Sequence, residues 1–240
     1  RLRLVRQGID TARFHPGAPP LALPRRAGFT FLSTFTWQNR KGWDILVRAF
    51  LTEFQRSDDV QLLLWAQPFY CRPEQMHRDL DRLVRDDLKL DPDQAAPILL
   101  VSDPCPDRAM PGLYTACDAF VLPTRGEGWG RPLAEAMAAG LPTIGTAWGG
   151  NRDFMTPDNS YLVETDGLVP VDERVEVALF RGHRWANPSV EHLRQMMRRV
   201  VEQPAEAAER GARARADMVA RWDLRLILGE LANELARFYN

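Results

Sequence analysis

The stretch Leu122-Pro-Thr-Arg-Gly-Glu-Gly-Trp-Gly-Arg-Pro-Leu-Ala-Glu-Ala-Met-Ala-Ala-Gly140 decides the fold. It starts at the end of an apolar run, Ala119 to Pro123, that reads as a strand covered on both faces. A loop carrying Gly126, Gly128 and Gly130 follows. Pro132 then opens a short helix that Gly140 ends. Strand, glycine loop and helix in this order form the unit of an open parallel sheet, which binds ligands at the carboxyl ends of its strands. Glycines let the backbone approach a ligand closely, and a helix start offers unpaired N–H groups to an anion or to sugar oxygens. Glu127 in the loop and Glu135 in the helix stand eight positions apart, and each carboxylate could accept from a pair of hydroxyls. The residues alone also allow a structural reading, with Glu135 complementing the helix dipole and the glycines making a tight turn. The loop is not a dinucleotide fingerprint, because G-x-G-x-x-G would need Gly where Arg131 stands. No G-x-x-x-x-G-K-[ST] occurs anywhere in the chain.

Outward from this segment, further strands are expected at Arg3 to Arg6, Phe29 to Phe35, Val60 to Ala66, Ile98 to Ser102 and Thr143 to Thr146. Between them Trp43 to Phe54 places Leu46, Val47, Phe50, Leu51 and Phe54 on one helical face, and Glu74 to Leu88 does the same with Met76, Leu80, Leu83 and Val84. This alternation implies about six parallel strands with right-handed crossovers. After about Asn187 the pattern is helical: Pro188 to Glu202, Ala205 to Trp222 and Leu224 to Tyr239. Gly8 to Ala27, with Pro16, Pro19, Pro20 and Pro24, reads as an ordered loop or linker. There is no internal repeat.

Composition narrows the function. The chain has 240 residues, with 31 basic against 32 acidic side chains, so no global positive field suggests nucleic acid. No apolar run approaches the ~20 residues a membrane span needs, and the opening residues lack the pattern of a secretory signal. Cys71, Cys105 and Cys117 are odd in number and in no C-x-x-C spacing, which fits a reducing compartment. A cytoplasmic protein of one α/β domain, residues 1–240, is the expectation. Only Lys41 and Lys89 among the basic residues are Lys. Lys41, before Gly42 and at a helix start, therefore stands out as a candidate phosphate contact.

GEGWGRPLAEAMAAGLPTIGT resembles the signature of the group 1 retaining glycosyltransferases of the GT-B fold: two glutamates separated by seven residues, then Glu-Ala-Met-Ala and Gly-x-Pro. Gly8-Ile-Asp-Thr-Ala-Arg-Phe-His-Pro16 resembles the approach to that family's C-terminal domain. Asn39-Arg-Lys-Gly-Trp-Asp44 resembles the lysine-glycine turn after its first core strand, and Leu113 to Pro123 the strand leading to the glutamate loop. The resemblance is collinear over nearly the whole chain and matches the donor-binding half alone. It implies a Rossmann-like parallel sheet with helices on both faces and a C-terminal helical run. It also implies a nucleoside diphosphate sugar donor, UDP- or GDP-linked, used without a metal or other cofactor. Glu135 would bind the ribose, Glu127 the transferred sugar, and the N–H groups of Gly128, Trp129 and Gly130 the sugar and phosphates. Lys41 would meet the diphosphate, so Glu127 and Lys41 are the expected catalytic pair. The implied partner is an N-terminal acceptor-binding half of the same protein, through which the enzyme could reach the cytoplasmic membrane face. This chain alone is expected to bind donor without transferring sugar.

One position departs from the pattern. The family's usual arginine, five residues before the lysine, is replaced by Thr36, which can donate one hydrogen bond but carries no charge, so either Arg40 or Arg125 completes the phosphate contact or diphosphate binding is weaker. Val101 to Cys105 would lie at the base pocket. Asp91-Pro-Asp93 follows a helix and reads as a surface turn, Asp118 as a turn partner, and the run from Arg194 to Arg215 as a solvated face. The four histidines have no ligand spacing. The alternatives are a nucleotide-sugar-binding module without transfer, a sugar-nucleotide epimerase, or a phosphorylase whose pyridoxal lysine could only be Lys41 or Lys89.

Overall fold

The computed structural model describes residues 4–24, 27–173 and 175–239. Six strands form one parallel sheet: β1 (Phe29–Thr36), β2 (Val60–Gln67), β3 (Ile98–Val101), β4 (Ala119–Leu122), β5 (Thr143–Thr146) and β6 (Tyr161–Val163). Their order is β3-β2-β1-β4-β5-β6. β1 and β2 pair from Phe29↔Val60 to Thr36↔Gln67. Phe31, Leu32, Leu62 to Leu64 and Phe120 to Leu122 are fully buried, each a gain of about 1.5–3 kcal/mol over exposure for side chains of this size. The helices α1 (Trp43–Glu53), α2 (Pro73–Arg82), α3 (Met110–Thr115) and α4 (Arg131–Ala138) are crossovers, and α5 (Val190–Glu202), α6 (Pro204–Arg221) and α7 (Leu224–Tyr239) close the chain. α1 packs on α5 and α4 on α6, on the two faces of the sheet. The fold is thus the expected Rossmann-like one.

The strand count matches expectation, but the membership does not. Arg3 lies outside the described residues, and 4–6 form no strand; Leu4 is 92% exposed. The segment runs instead along the last helices, where Arg6 reaches Glu230 and the Arg221 carbonyl. Its place in the sheet is taken by β6. A second difference is an antiparallel hairpin, β7 (Thr165–Pro170) with β8 (Arg184–Pro188), where no strand was expected.

The long loop that precedes β1 is ordered by specific bonds over its described residues. Asp10 accepts the amides of Ala12 and Arg13, and Phe14 packs 5.9 Å from Tyr114. Ile9 is bridged to the α6–α7 junction: its amide donates to the Trp222 carbonyl at 2.9 Å and its carbonyl accepts from Leu224 at 2.8 Å. The arginine run is less solvated than expected, because Arg194 and Arg198 both grip Glu53 and so tie α5 to α1. Asp118 is the expected turn partner, accepting the Thr30 amide at 2.8 Å.

β1 leads away to β2 and β3 on one side, and the chain resumes with β4 on the other. A crevice opens at such a switch point, at the carboxyl ends of the two strands. The loops that follow β1 and β4 meet there.

Candidate functional site

After β1, Trp37 stacks 4.3 Å from Trp43 and fixes the path into a single 3-10 turn, Asn39–Lys41. Gly42 ends that turn in the left-handed region (φ 70°). The turn lies directly on the end of β4: a Cβ on Gly42 would fall 2.0 Å from the Pro123 carbonyl oxygen. Lys41 is thereby buried, and its Nζ donates to Glu127 Oε1. Arg40 donates to the Gly126 carbonyl and its Nη1 stands 3.5 Å from the same Glu127 oxygen. Burial pulls the Lys41 ammonium below the usual lysine value, and the Glu127 carboxylate opposes it.

The glutamate loop is built against two other segments. The Arg125 amide donates to the Arg40 carbonyl at 2.8 Å, and the Glu127 carbonyl accepts from Gly150 at 3.0 Å. A Cβ on Gly150 would sit 2.0 Å from the Gly128 carbonyl, so Gly149-Gly150 is a second glycine requirement of the site. Trp129 turns its ring inward, 5.1 Å from Phe154 and 6.2 Å from Trp222. Only backbone therefore remains to face the crevice from residues 128–130, and their amides donate to no acceptor among the described residues. Arg125 is held by both oxygens of Asp44 at 2.7 Å and lies over Trp185 of β8.

Glu135, on α4, is buried and accepts from the Tyr114 hydroxyl at 2.7 Å; Arg131 Nε stands 3.5 Å away. Burial raises the Glu135 carboxyl above the usual value, against the pull of Tyr114, Arg131 and Arg13. Such a group stabilises the fold fully below its unfolded value and loses that contribution as pH climbs through the folded one. Glu135→Gln keeps the bond from Tyr114 and removes the buried charge. Its melting temperature should match or exceed that of the wild type at neutral pH, with the gap opening as pH rises from about 4. Thermal melts of both proteins across that range check this; a variant less stable at every pH would contradict it.

Thr36, Lys41, Glu127, Arg131 and Glu135 line one cleft of 660 Å³, with Pro104 and Cys105 at its far side. The structure thus brings together Lys41, both glutamates and Thr36, with Arg40 beside them. Of the segment Val101 to Cys105, Pro104 and Cys105 line the cleft, and the Asp103 carbonyl accepts from Trp65 Nε1 (2.8 Å) and Gln67 (3.1 Å). Arg125 does not join them, since Asp44 holds it away. Asp91 caps its own turn by accepting the Asp93 amide at 3.0 Å, as a surface turn should. Among the described residues no cluster of three or more His, Cys, Asp or Glu could hold a metal. Arg13, Tyr114 and Arg131 were not assigned roles from sequence. Arg131 carried a signal, sitting four positions before Glu135 at the helix start, whereas Tyr114 carried none.

The profile of the family described as glycosyl transferases group 1 matches residues 26–178. The chain belongs to this family. Among curated relatives, D-inositol 3-phosphate glycosyltransferase 1 of Catenulispora acidiphila is 32% identical over 174 residues, 62% of this chain and 36% of that protein. The GDP-mannose-dependent monoacylated alpha-(1-6)-phosphatidylinositol monomannoside mannosyltransferase of Corynebacterium glutamicum is 27% identical over 242 residues, 95% of this chain and 54% of that one. The chain thus spans between about a third and a half of the curated relatives it matches. In fold it is similar to the C-terminal domain of the group 1 protein LpcC from Francisella tularensis (TM-score 0.67, 16% identity, covering 90% of this chain and 100% of that one). It is also similar to Anabaena HepE, solved with UDP and glucose (TM-score 0.71, 17% identity, 98% of this chain and 57% of that one). No helix among the described residues is long and apolar enough to cross a membrane.

Proposed function

We propose that this group 1 chain is the donor-binding half of a retaining, metal-independent hexosyltransferase that uses a UDP- or GDP-linked sugar. One observation carries the reading: Glu127 and Glu135 line a single cleft at the β1/β4 switch point, each with a cation beside it. A nucleotide sugar laid along the cleft meets Glu135 at its ribose and Glu127 at its sugar, with Lys41 on the diphosphate between. The relatives support the donor class, one being described as GDP-mannose-dependent and one solved with UDP and glucose. In the transfer the bond from the anomeric carbon to the diphosphate oxygen breaks, and a bond to the acceptor oxygen forms on the same face. The acceptor proton goes to the departing diphosphate. Lys41 stabilises the charge that builds up on that leaving group. Glu127, already hydrogen-bonded to Lys41, positions the sugar rather than attacking it. An N-terminal acceptor-binding half of the same cytoplasmic protein completes the enzyme. A phosphorylase fits less well, because Lys89 is exposed and Lys41 is engaged by Glu127.

Calorimetric titration with uridine, guanosine and adenosine diphosphates and their sugars tests this. At least one diphosphate should bind, and Glu127→Ala should weaken the nucleotide sugar while leaving the bare diphosphate nearly unchanged. Glu135→Ala should weaken both by a charged hydrogen bond, ~1.5–3 kcal/mol. Failure of all nucleotides to bind at millimolar concentration would sink the reading, and equal losses for both ligands in both variants would overturn the roles.

A further inference from the structure

We propose that Arg131 is the second cation of the diphosphate, and that it takes the phosphate next to the ribose while Lys41 takes the one next to the sugar. The assignment rests on the donor-site reading above. A diphosphate spreads its charge over two phosphoryl groups, and Lys41 is one compact ammonium. Position 36 offers no charge: the Thr36 hydroxyl accepts from Gln38 Nε2 at 2.7 Å. Two arginines line the cleft, Arg13 and Arg131, and two more, Arg40 and Arg125, lie at the glutamate loop beside it. Arg125 is clamped by Asp44 and covered by Trp185, and it cannot turn without breaking a bidentate pair. Arg40 is spent on the Gly126 carbonyl beside Glu127. Arg13 donates to the Asp107 carbonyl and meets the Asp107 carboxylate at 2.8 Å. Arg131 differs. Its side chain is 72% exposed and makes only a long approach, 3.5 Å, to Glu135 Oε1. It lines the same cleft as Thr36 and Lys41, with its planar fork free for phosphate oxygens.

The order of the two cations follows from their neighbours. Arg131 sits one helical turn before Glu135, at the ribose end. Lys41 sits on Glu127, at the sugar end. A ligand that spans the two carboxylates meets Arg131 first and Lys41 second.

Titrating the chain with uridine, UMP and UDP, and with guanosine, GMP and GDP, separates the two contacts. Arg131→Gln should weaken the monophosphate and the diphosphate alike, roughly tenfold, with the nucleoside hardly changed. Lys41→Ala should lose affinity only when the second phosphate is added. Arg131→Lys should recover part of the loss, and the exposed position means Arg131→Gln should melt with the wild type. A loss in Arg131→Gln that is absent, equal for the nucleoside, or confined to the diphosphate overturns the assignment. If the wild type binds a diphosphate and Arg131→Gln is silent, the donor reading stands and Arg131 falls. If the wild type binds none of the six, both fall.

Discussion

Lys41→Ala should cost diphosphate binding tenfold to a hundredfold, roughly the worth of one charge-assisted hydrogen bond. The nucleoside should be nearly unaffected. Lys41 is buried beside Glu127, so its removal does more than delete a cation. Glu127 is left in a largely dry site with Arg40 at 3.5 Å as its nearest partner, and it then repels the incoming phosphates. Removing that carboxylate too, in a Lys41→Ala/Glu127→Ala double variant, should therefore restore part of the loss for the bare diphosphate. The salt dependence of diphosphate binding should flatten in Lys41→Ala, because one screened charge pair is gone. Calorimetry at two ionic strengths reads all of this. Equal losses for nucleoside and diphosphate would mean that the substitution had disturbed the cleft as a whole and that Lys41 holds no phosphate.

The largest expected effect on stability belongs to Gly42→Ala. Its φ of 70° is strained for a residue with a side chain, and the added methyl would collide with backbone, 2.0 Å from the Pro123 oxygen. Strain of ~1–3 kcal/mol and a forced backbone shift of ~1–3 kcal/mol together predict a loss of about 2–6 kcal/mol in urea unfolding. Gly126→Ala, in the loop that packs on the same turn, is the control. A Cβ there meets nothing within 4 Å, so that variant should unfold near the wild type. Matching midpoints for the two variants would show that the Lys41 turn does not rest on the end of β4. The pair also separates packing from function, since Gly42→Ala moves the turn that carries Lys41.

Most of the sheet could be read from sequence because its strands are short runs of apolar, β-branched and aromatic residues, several of them apolar throughout. β6 could not, since Tyr161–Val163 is too short to show a period. The β7–β8 hairpin carries Asp166, Gly167 and Arg184 in its strands, which break the apolar alternation that marks a strand in sequence. Arg3 to Arg6 shows the opposite error. Extended propensity is local, whereas Arg6 is held by Glu230 and the Arg221 carbonyl on the last helices rather than at an edge of the sheet. In the cleft, the two glutamates stand out through the resemblance to the group 1 signature, whereas their spacing around a glycine loop alone also fits a structural role. Their partners were not legible. Lys41 and Glu127 lie 86 positions apart, and Arg125 looks free until Asp44 and Trp185 are folded against it. Tyr114 reads as an ordinary core aromatic until its hydroxyl is seen on Glu135.

The bridge between Ile9 and the α6–α7 junction bears on how the molecule assembles. Thr11 and Asp223, which bond in the same clasp, are 212 positions apart. Contacts of such span close a loop nearly as long as the chain, and that entropy is recovered only when the intervening sheet already holds the ends near each other. Loop-closure entropy therefore predicts that the clasp closes after the sheet and opens before it, so the Ile9 and Leu224 amides should exchange with solvent faster than those of β1 and β4. Because Ile9 and Arg13 border the cleft, the end of the cleft near Glu135 is expected to loosen with the clasp, while Lys41 and Glu127 rest on the loops at the ends of β1 and β4.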